Sequence, residues 1–311
     1  MMLISTLLGL ILDQGLGEPK RAHPLVAFGR WVNAVEQYWH RAASPWQRLR
    51  GVLAVLTAVV PVVGVFALAA WALQFSVLLS TAFAALTLWL AVGRRSLHEH
   101  AMAVYVPLRQ GDLPAARAAV ALLVSRETTE IDASGVAGAT TESVLENGAD
   151  AVFAALFWFW LAGVPGVVLY RLVNTLDAMW GYRTERYAQF GWAAARLDDV
   201  MNWLPARLTT LAYIGVAGSW RLSQQAARCA WQQGRGWKSP NAGPVMAAGA
   251  GALGVSLGGA AVYQGALQQR PRLGPSGVPP QAQHIRWALR LMDRALLLWL
   301  LVFLGVWLWW I

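Results

Sequence analysis

Cysteine is almost absent from this 311-residue chain, where Cys229 stands alone. One thiol excludes an internal disulfide and any multi-cysteine metal centre, and a lone cysteine is more often inert filler than a nucleophile. Charge is scarce as well: Asp, Glu, Lys and Arg make up 13% of the chain, where a soluble domain carries about 25%. Acids are the scarcer sign, 16 against 25 bases, leaving a net charge of +9. The first twelve residues are apolar, but neither a charged leader region nor a small-residue cleavage site accompanies them. They are expected to remain as a short membrane-embedded helix. No helix-turn-helix, zinc finger or stacking module is present, so nucleic acid is not an expected partner, and there is no internal repeat.

What the chain has in abundance is apolar surface. It is 57% hydrophobic and carries 18 Trp. The expected fold is all-α: a polytopic integral membrane protein with helical cytoplasmic loops and re-entrant half-helices as an option. All of 1–311 is expected to form one membrane-embedded domain. Residues 51–73 and 75–92 are apolar runs close to the roughly 20 residues a span needs, and Gln74 and Ser76 between them predict a helical hairpin. Residues 93–150 read as an acidic, helical cytoplasmic segment. Residues 151–173 are apolar but broken by Gly163-Val164-Pro165-Gly166. Pro165 removes a helical hydrogen bond, which leaves one kinked span or two half-helices entering and leaving by one face. A polar loop over 174–202 follows, then an apolar segment over 203–218, a basic loop region over 221–294 and a terminal span over 295–311.

Ten of the 16 acids lie between Glu127 and Asp199, beside these apolar runs. An unpaired carboxylate in such surroundings costs several kcal/mol or more, so this stretch is where chemistry is sought. Glu142, Glu146 and Asp150 fall at i, i+4 and i+8, on one face of a helix. With Asn147 they make an all-oxygen set of the type that suits Mg²⁺ bound jointly with substrate phosphates; a solvated face with arginine partners fits equally well. Asn174 with Asp177, and Asp198 or Asp199 with Asn202, are further pairs able to hold a metal–nucleotide or an amide-bearing ligand, or to cap helices. Lys238 precedes Ser239-Pro240-Asn241-Ala242-Gly243 and a glycine-rich run. This is not a P-loop. A lysine beside such backbone can cradle phosphate, and small residues equally serve close helix packing.

Read in order, these motifs resemble the adenosylcobinamide-phosphate synthase family of cobalamin biosynthesis. They are Leu16-Gly17-Glu18-Pro19 with His23-Pro24, then Glu142-Ser143-Val144-Leu145-Glu146-Asn147 with Asp150, then Asn174-Thr175-Leu176-Asp177-Ala178-Met179. Phe190-Gly191-Trp192 through Asp198-Asp199 and Ser239-Pro240-Asn241-Ala242-Gly243 complete the series. The likeness runs almost end to end. Where many relatives read Arg-Asp and Ser-Asp-Gly, this chain has Arg126-Glu127 and Ala149-Asp150-Ala151, which retain the carboxylate.

The resemblance implies a multi-pass enzyme that uses ATP and Mg²⁺. It would join adenosylcobyric acid, a corrinoid, to (R)-1-amino-2-propanol phosphate or a free amino alcohol. It implies Arg126 and Glu127 as site residues, Arg126, Arg183 and Lys238 as charges facing phosphate, and His23 or the Asp198–Asp199 pair as the base. Asn147, Asn174, Asp177, Asn202 and Asn241 would contact the nucleotide, and Glu142, Glu146 and Asp150 the metal. The inner membrane, with the site facing the cytoplasm, is the implied location. Lipid, a second copy or other membrane enzymes of corrinoid synthesis are the implied partners. The competing class is a non-enzymatic membrane transporter or regulatory sensor.

Overall fold

The computed structural model describes residues 1–19, 23–40, 45–182, 184–263 and 265–309. In chain order the helices are α1 (Met2–Leu16), α2 (Pro24–Trp39), α3 (Gln47–Leu73), α4 (Val77–Ala91), α5 (Arg94–Gln110) and α6 (Leu113–Val120). They continue with α7 (Ala133–Gly148), α8 (Ala155–Trp180), α9 (Trp192–Gly215), α10 (Trp220–Gln233), α11 (Ala242–Leu253) and α12 (Ala282–Trp309). A π-helical stretch, Ala149–Ala154, lies between α7 and α8. The only strands among the described residues are β1 (Leu257–Gly258) paired with β4 (Arg272–Leu273), and β2 (Ala261–Tyr263) paired with β3 (Ala266–Gln268), both antiparallel. The all-helical expectation therefore holds. Four stretches are long and apolar enough to cross a membrane: Gln47–Leu73, Val77–Gln110, Ala133–Trp180 and Ala282–Trp309. The chain divides into two compact units, Met1–Arg95 with Ala154–Asn202, and Ser96–Phe153 with Trp203–Ile311.

In the first unit α3 and α4 form the expected hairpin. Ser76 ends the turn between them and caps α4, its Oγ accepting the Leu79 N–H at 3.3 Å. α1 packs along α4, and both α3 and α4 lie against α8. Leu56, Val60, Val65, Leu68 and Leu78 are large, apolar and exposed, the pattern of a lipid-facing surface. α8 is interrupted where the sequence says it should be. Ala162 leaves the helical region and Gly163 takes φ 61°, ψ −145°, a conformation open to glycine and strained for other residues. A straight helix would separate Trp158 from Gly166 by about 12 Å along its axis. Instead, a Cβ on Gly166 would collide with the Trp158 carbonyl oxygen and the Ala162 methyl group. The half beginning at Val164 thus folds back on the half that ends at Leu161, as in a re-entrant hairpin.

In the second unit α7 is the centre. Residues Val136 to Leu145 are all buried, and α6, α11 and α12 pack on it. Over α7 alone, this corrects the reading of 93–150 as an acidic cytoplasmic segment; Glu99, Asp112, Glu127, Glu130 and Asp132, before or at its start, are exposed. Ala137, Gly138 and Ala139 let neighbours approach closely, and Glu142 of this helix finds its partners inside the unit. α11 is sandwiched: Gly249 faces Leu145 of α7 and Gly251 faces the Ala226 backbone of α10.

Three other boundaries move. Residues 174–202 are not a loop but the end of α8, a turn and the start of α9, because Ala193-Ala194-Ala195 and the residues after them carry helix propensity through the polar motif. Residues 221–294 are not a basic loop region but α10, α11, the short strand pairs and the first turns of α12. The terminal helix begins at Ala282 rather than 295, with Arg286, Arg290 and Arg294 on its early turns. The 203–218 segment is largely the second part of α9.

Candidate functional site

In the first unit the second half of α8 and the start of α9 bring acids and carboxamides together. Asn174 Nδ2 donates to Asp198 Oδ1 at 3.3 Å, and Asn202 Nδ2 donates to Asp198 Oδ2 at 2.9 Å. Tyr170 O–H donates to Asn202 Oδ1 at 2.9 Å and sets the orientation of that amide. Asp177 lies within electrostatic reach of both Asp198 and Asp199. Burial pushes the Asp198 carboxyl above its ordinary value, and the two amide hydrogen bonds pull against that shift. Arg196 makes a longer contact with Asp199, 3.7 Å, on an exposed side chain. The result is an oxygen-rich cluster with more negative charge than the adjacent guanidinium offsets.

His23 of the same unit is the N-cap of α2. Its Nδ1 accepts the Leu25 N–H at 3.1 Å, and Pro24 occupies the first helical position, where a missing N–H costs nothing. This is the physical reason for the His-Pro pair. Burial lowers the His23 pKa, Glu18 opposes that shift and Arg171 adds to it, so the ring is neutral with its proton on Nε2. That nitrogen is buried without a partner, as is Arg171 Nε. Seated this way His23 offers a donor, not the proton-accepting lone pair expected of a base.

A second acid of the first unit, Glu36, was not singled out from sequence. Its buried carboxylate accepts from Trp180 Nε1 at 3.0 Å, Arg186 Nε at 2.9 Å and Tyr187 O–H at 3.1 Å. It ties α2 to the turn that follows α8.

In the second unit Glu142 is the hub. Its carboxylate accepts from Arg126 at 3.1 Å, from Arg270 at 3.0 Å and from the Gly258 N–H at 2.8 Å. Arg270 also donates to the Gly259 carbonyl at 3.1 Å and lies over the Trp237 ring, 5.2 Å from its centroid. Two guanidiniums meet this one carboxylate beside a cavity of about 320 Å³, which Arg126, Glu127, Glu142 and Arg272 help to line. Glu127 is exposed, and its Oε1 accepts the Gly265 N–H at 2.6 Å, holding the β2–β3 turn.

Glu146, one helical turn from Glu142, lies within electrostatic reach of Glu142 and Arg270. Asp150 sits in the π-helical stretch, within reach of Tyr213. The three acids share a helical run as the spacing says, but guanidiniums rather than an open oxygen cage meet Glu142. Among the described residues no three of His, Cys, Asp and Glu assemble as metal ligands.

Asn147 donates to Ser143 Oγ at 2.8 Å within its own helix. Asn241 is buried at the head of α11 and accepts from Arg207 at 2.5 Å, while Ser239 Oγ accepts the Asn241 and Ala242 N–H groups. The Ser-Pro-Asn-Ala-Gly motif is thus a helix-capping device. Lys238 is exposed. Arg183 lies outside the described residues. The structure therefore brings Asn174, Asp177, Asp198, Asp199 and Asn202 together in the first unit, and Arg126 with Glu142 in the second. Sequence reasoning missed Arg270, which lies in the stretch read as a basic loop region; the signal was a single arginine 128 residues away from its acid.

Fold and sites together define a polytopic helical membrane protein whose buried acids Glu36 and Glu142 find partners far along the chain. Residues 6–292 match the family model described as CobD/Cbib protein. The chain is 55% identical over 306 residues to the "Cobalamin biosynthesis protein CobD" of Stutzerimonas stutzeri, covering 98% of each. It is 55% identical over 300 residues to the protein of that name in Chromobacterium violaceum, covering 94% of this chain and 92% of the relative. With the Rhodobacter capsulatus protein of that name the identity is 39% over 297 residues, 92% and 91% of the two. The chain belongs to the CobD/Cbib family. No solved structure matches it.

Proposed function

We propose that this chain works in cobalamin biosynthesis as an ATP-dependent amide ligase, joining the free carboxylate of adenosylcobyric acid to (R)-1-amino-2-propanol phosphate or a free amino alcohol. The role in cobalamin biosynthesis rests on family membership and on the name its end-to-end relatives share. The observation that carries the ligase reading is the Asp177–Asp198–Asp199 cluster with its two carboxamides. One or two of these carboxylates would hold Mg²⁺, which completes its shell with phosphate oxygens and water; no three of them stand as a ligand set among the described residues. Bound there, the ion would neutralise charge on the phosphates of ATP.

Amide formation needs the carboxylate oxygen converted into a leaving group. Attack of the corrinoid carboxylate on the γ-phosphorus releases ADP and forms an acyl phosphate. The amine nitrogen then attacks the carbonyl carbon, phosphate departs, and the ammonium loses its proton. A carboxylate of the Asp198–Asp199 pair takes that proton, and the upward shift at Asp198 moves it toward the range a general base needs. In the second unit, the Arg126 and Arg270 guanidiniums at Glu142 offer donors of the kind that meet an anionic substrate group. The cytoplasmic side is the proposed location of the cluster, since ATP is there.

Purified protein in detergent, incubated with adenosylcobyric acid, ATP, Mg²⁺ and each amine in turn, is expected to yield a corrinoid heavier by the amine less one water. Folded protein that yields no such mass with any amine would overturn the reading.

A further inference from the structure

The second unit holds a larger cavity, about 500 Å³, between α10 and the segment running from Ser256 to Ser276. Arg221, Gln225 and Arg228 fall at i, i+4 and i+7, so one face of α10 lines it, and Arg272 and Ser256, which also border the smaller cavity, complete the lining. No carboxylate lines this space. Among the described residues Arg221, Arg228 and Arg272 have no ion-pair partner, whereas Arg126, Arg186, Arg196 and Arg270 each have one.

A second observation points the same way. Ser256 is only 6% exposed, and its Oγ is buried without a hydrogen-bond partner. An unsatisfied buried hydroxyl costs about 1–3 kcal/mol, and here it stands on the wall of a cavity ringed by guanidiniums. Three unpaired arginines gathered round one space repel one another until an anion enters. Guanidinium forks match phosphate oxygens two at a time, and a serine hydroxyl supplies one more donor. The space exceeds a bare phosphate and falls within the range of pockets for organic ligands, roughly 300–1,000 Å³.

We propose that this cavity binds the phosphate group of an organic phosphate, with Arg221, Arg228 and Arg272 as counter-charges and Ser256 as donor. The group belongs to a soluble phosphate ester or to a lipid headgroup. Both present the same chemistry to these side chains. Binding is read without turnover, so the inference stands or falls separately from the ligase reading.

The test uses the full chain in nanodiscs of phosphatidylcholine, titrated calorimetrically with pyrophosphate in the absence of Mg²⁺. The wild type is expected to bind saturably, and more weakly as salt rises. Arg221→Gln and Arg228→Gln, both exposed, are each expected to weaken binding about tenfold, and Ser256→Ala to weaken it without lowering thermal stability. Arg235→Gln is the control, since Arg235 lies over Trp231 and is not among the residues lining the cavity; it should bind as the wild type does. In nanodiscs containing phosphatidylglycerol, lipid that survives delipidation of the wild type but not of the arginine variants would assign the site to a headgroup. The proposal is overturned if pyrophosphate affinity and lipid retention are the same in wild type, arginine variants and control.

Discussion

Glu142 shows how one side chain can look functional from local spacing and prove to be a structural hub as well. Its side chain is 9% exposed and those of Arg126 and Arg270 are 10% and 14% exposed, so the three charges are held away from water. Removing the acid leaves two buried guanidiniums uncompensated, and breaking a buried pair in this way costs about 3–5 kcal/mol. Glu142→Ala is expected to lower the melting temperature in detergent sharply, with Glu142→Asp intermediate; an unchanged melting temperature for Glu142→Ala would show the triad to be idle.

His23 gives a pH-dependent case. Its folded pKa lies below the ordinary imidazole value of about 6.5 because burial disfavours the cation. The unfolded chain therefore binds the proton more readily, and stability present above about pH 6.5 is lost as pH falls below it. His23→Asn keeps an N-cap acceptor and removes the titrating ring, so its stability should decline less between pH 7 and pH 5 than that of the wild type. Equal pH slopes in the two proteins would contradict this account of the His-Pro pair.

At the level of elements, the reversal within α8 rests on two glycines. Gly163 adopts a positive φ, and a non-glycine residue held in a sparsely allowed region costs about 1–3 kcal/mol. Gly163→Ala should therefore destabilise the protein by about that amount, and Gly166→Leu by more, since its Cβ meets the Trp158 backbone. Chemical unfolding in mixed micelles checks both, and a Gly166→Leu variant as stable as the wild type would contradict the folded-back geometry. Features of this kind were readable beforehand. The α3–α4 hairpin follows from two apolar runs around Gln74 and Ser76, and the α8 break from glycine and proline in the middle of an apolar run.

What sequence could not reveal was pairing across distance. Glu142, Glu146 and Asp150 advertise a charged face, but whether water, an ion or arginine meets it depends on Arg270, brought in by a strand pair too short to show periodicity. The run from Asn174 to Asn202 read as a loop because polar residues interrupt apolar ones there, although most of its residues suit helix. The acid–carboxamide cluster on α8 and α9 was half visible: Asn174–Asp177 and Asp198–Asn202 were recognisable as local pairs. Their meeting depends on tertiary packing, which the local pattern does not encode.

For the molecule as a whole, the apolar helices and the net charge of +9 fit a membrane protein with its basic segments on the cytoplasmic face. Thr184, exposed in the turn after α8, is a handle on that orientation. In a Cys229→Ser background, Thr184→Cys should react with an impermeant maleimide in inverted inner-membrane vesicles and stay protected in right-side-out ones. The opposite pattern would put the turn beside the acid cluster away from ATP. The most direct measurement of the ligase reading follows oxygen rather than mass alone. Adenosylcobyric acid labelled with ¹⁸O in its free carboxylate is turned over with ATP, Mg²⁺ and the amine, and the released phosphate is examined by mass spectrometry. One ¹⁸O per phosphate, matched by one ADP and one new amide, is the predicted result; unlabelled phosphate, or an amide formed with no ATP consumed, would contradict it.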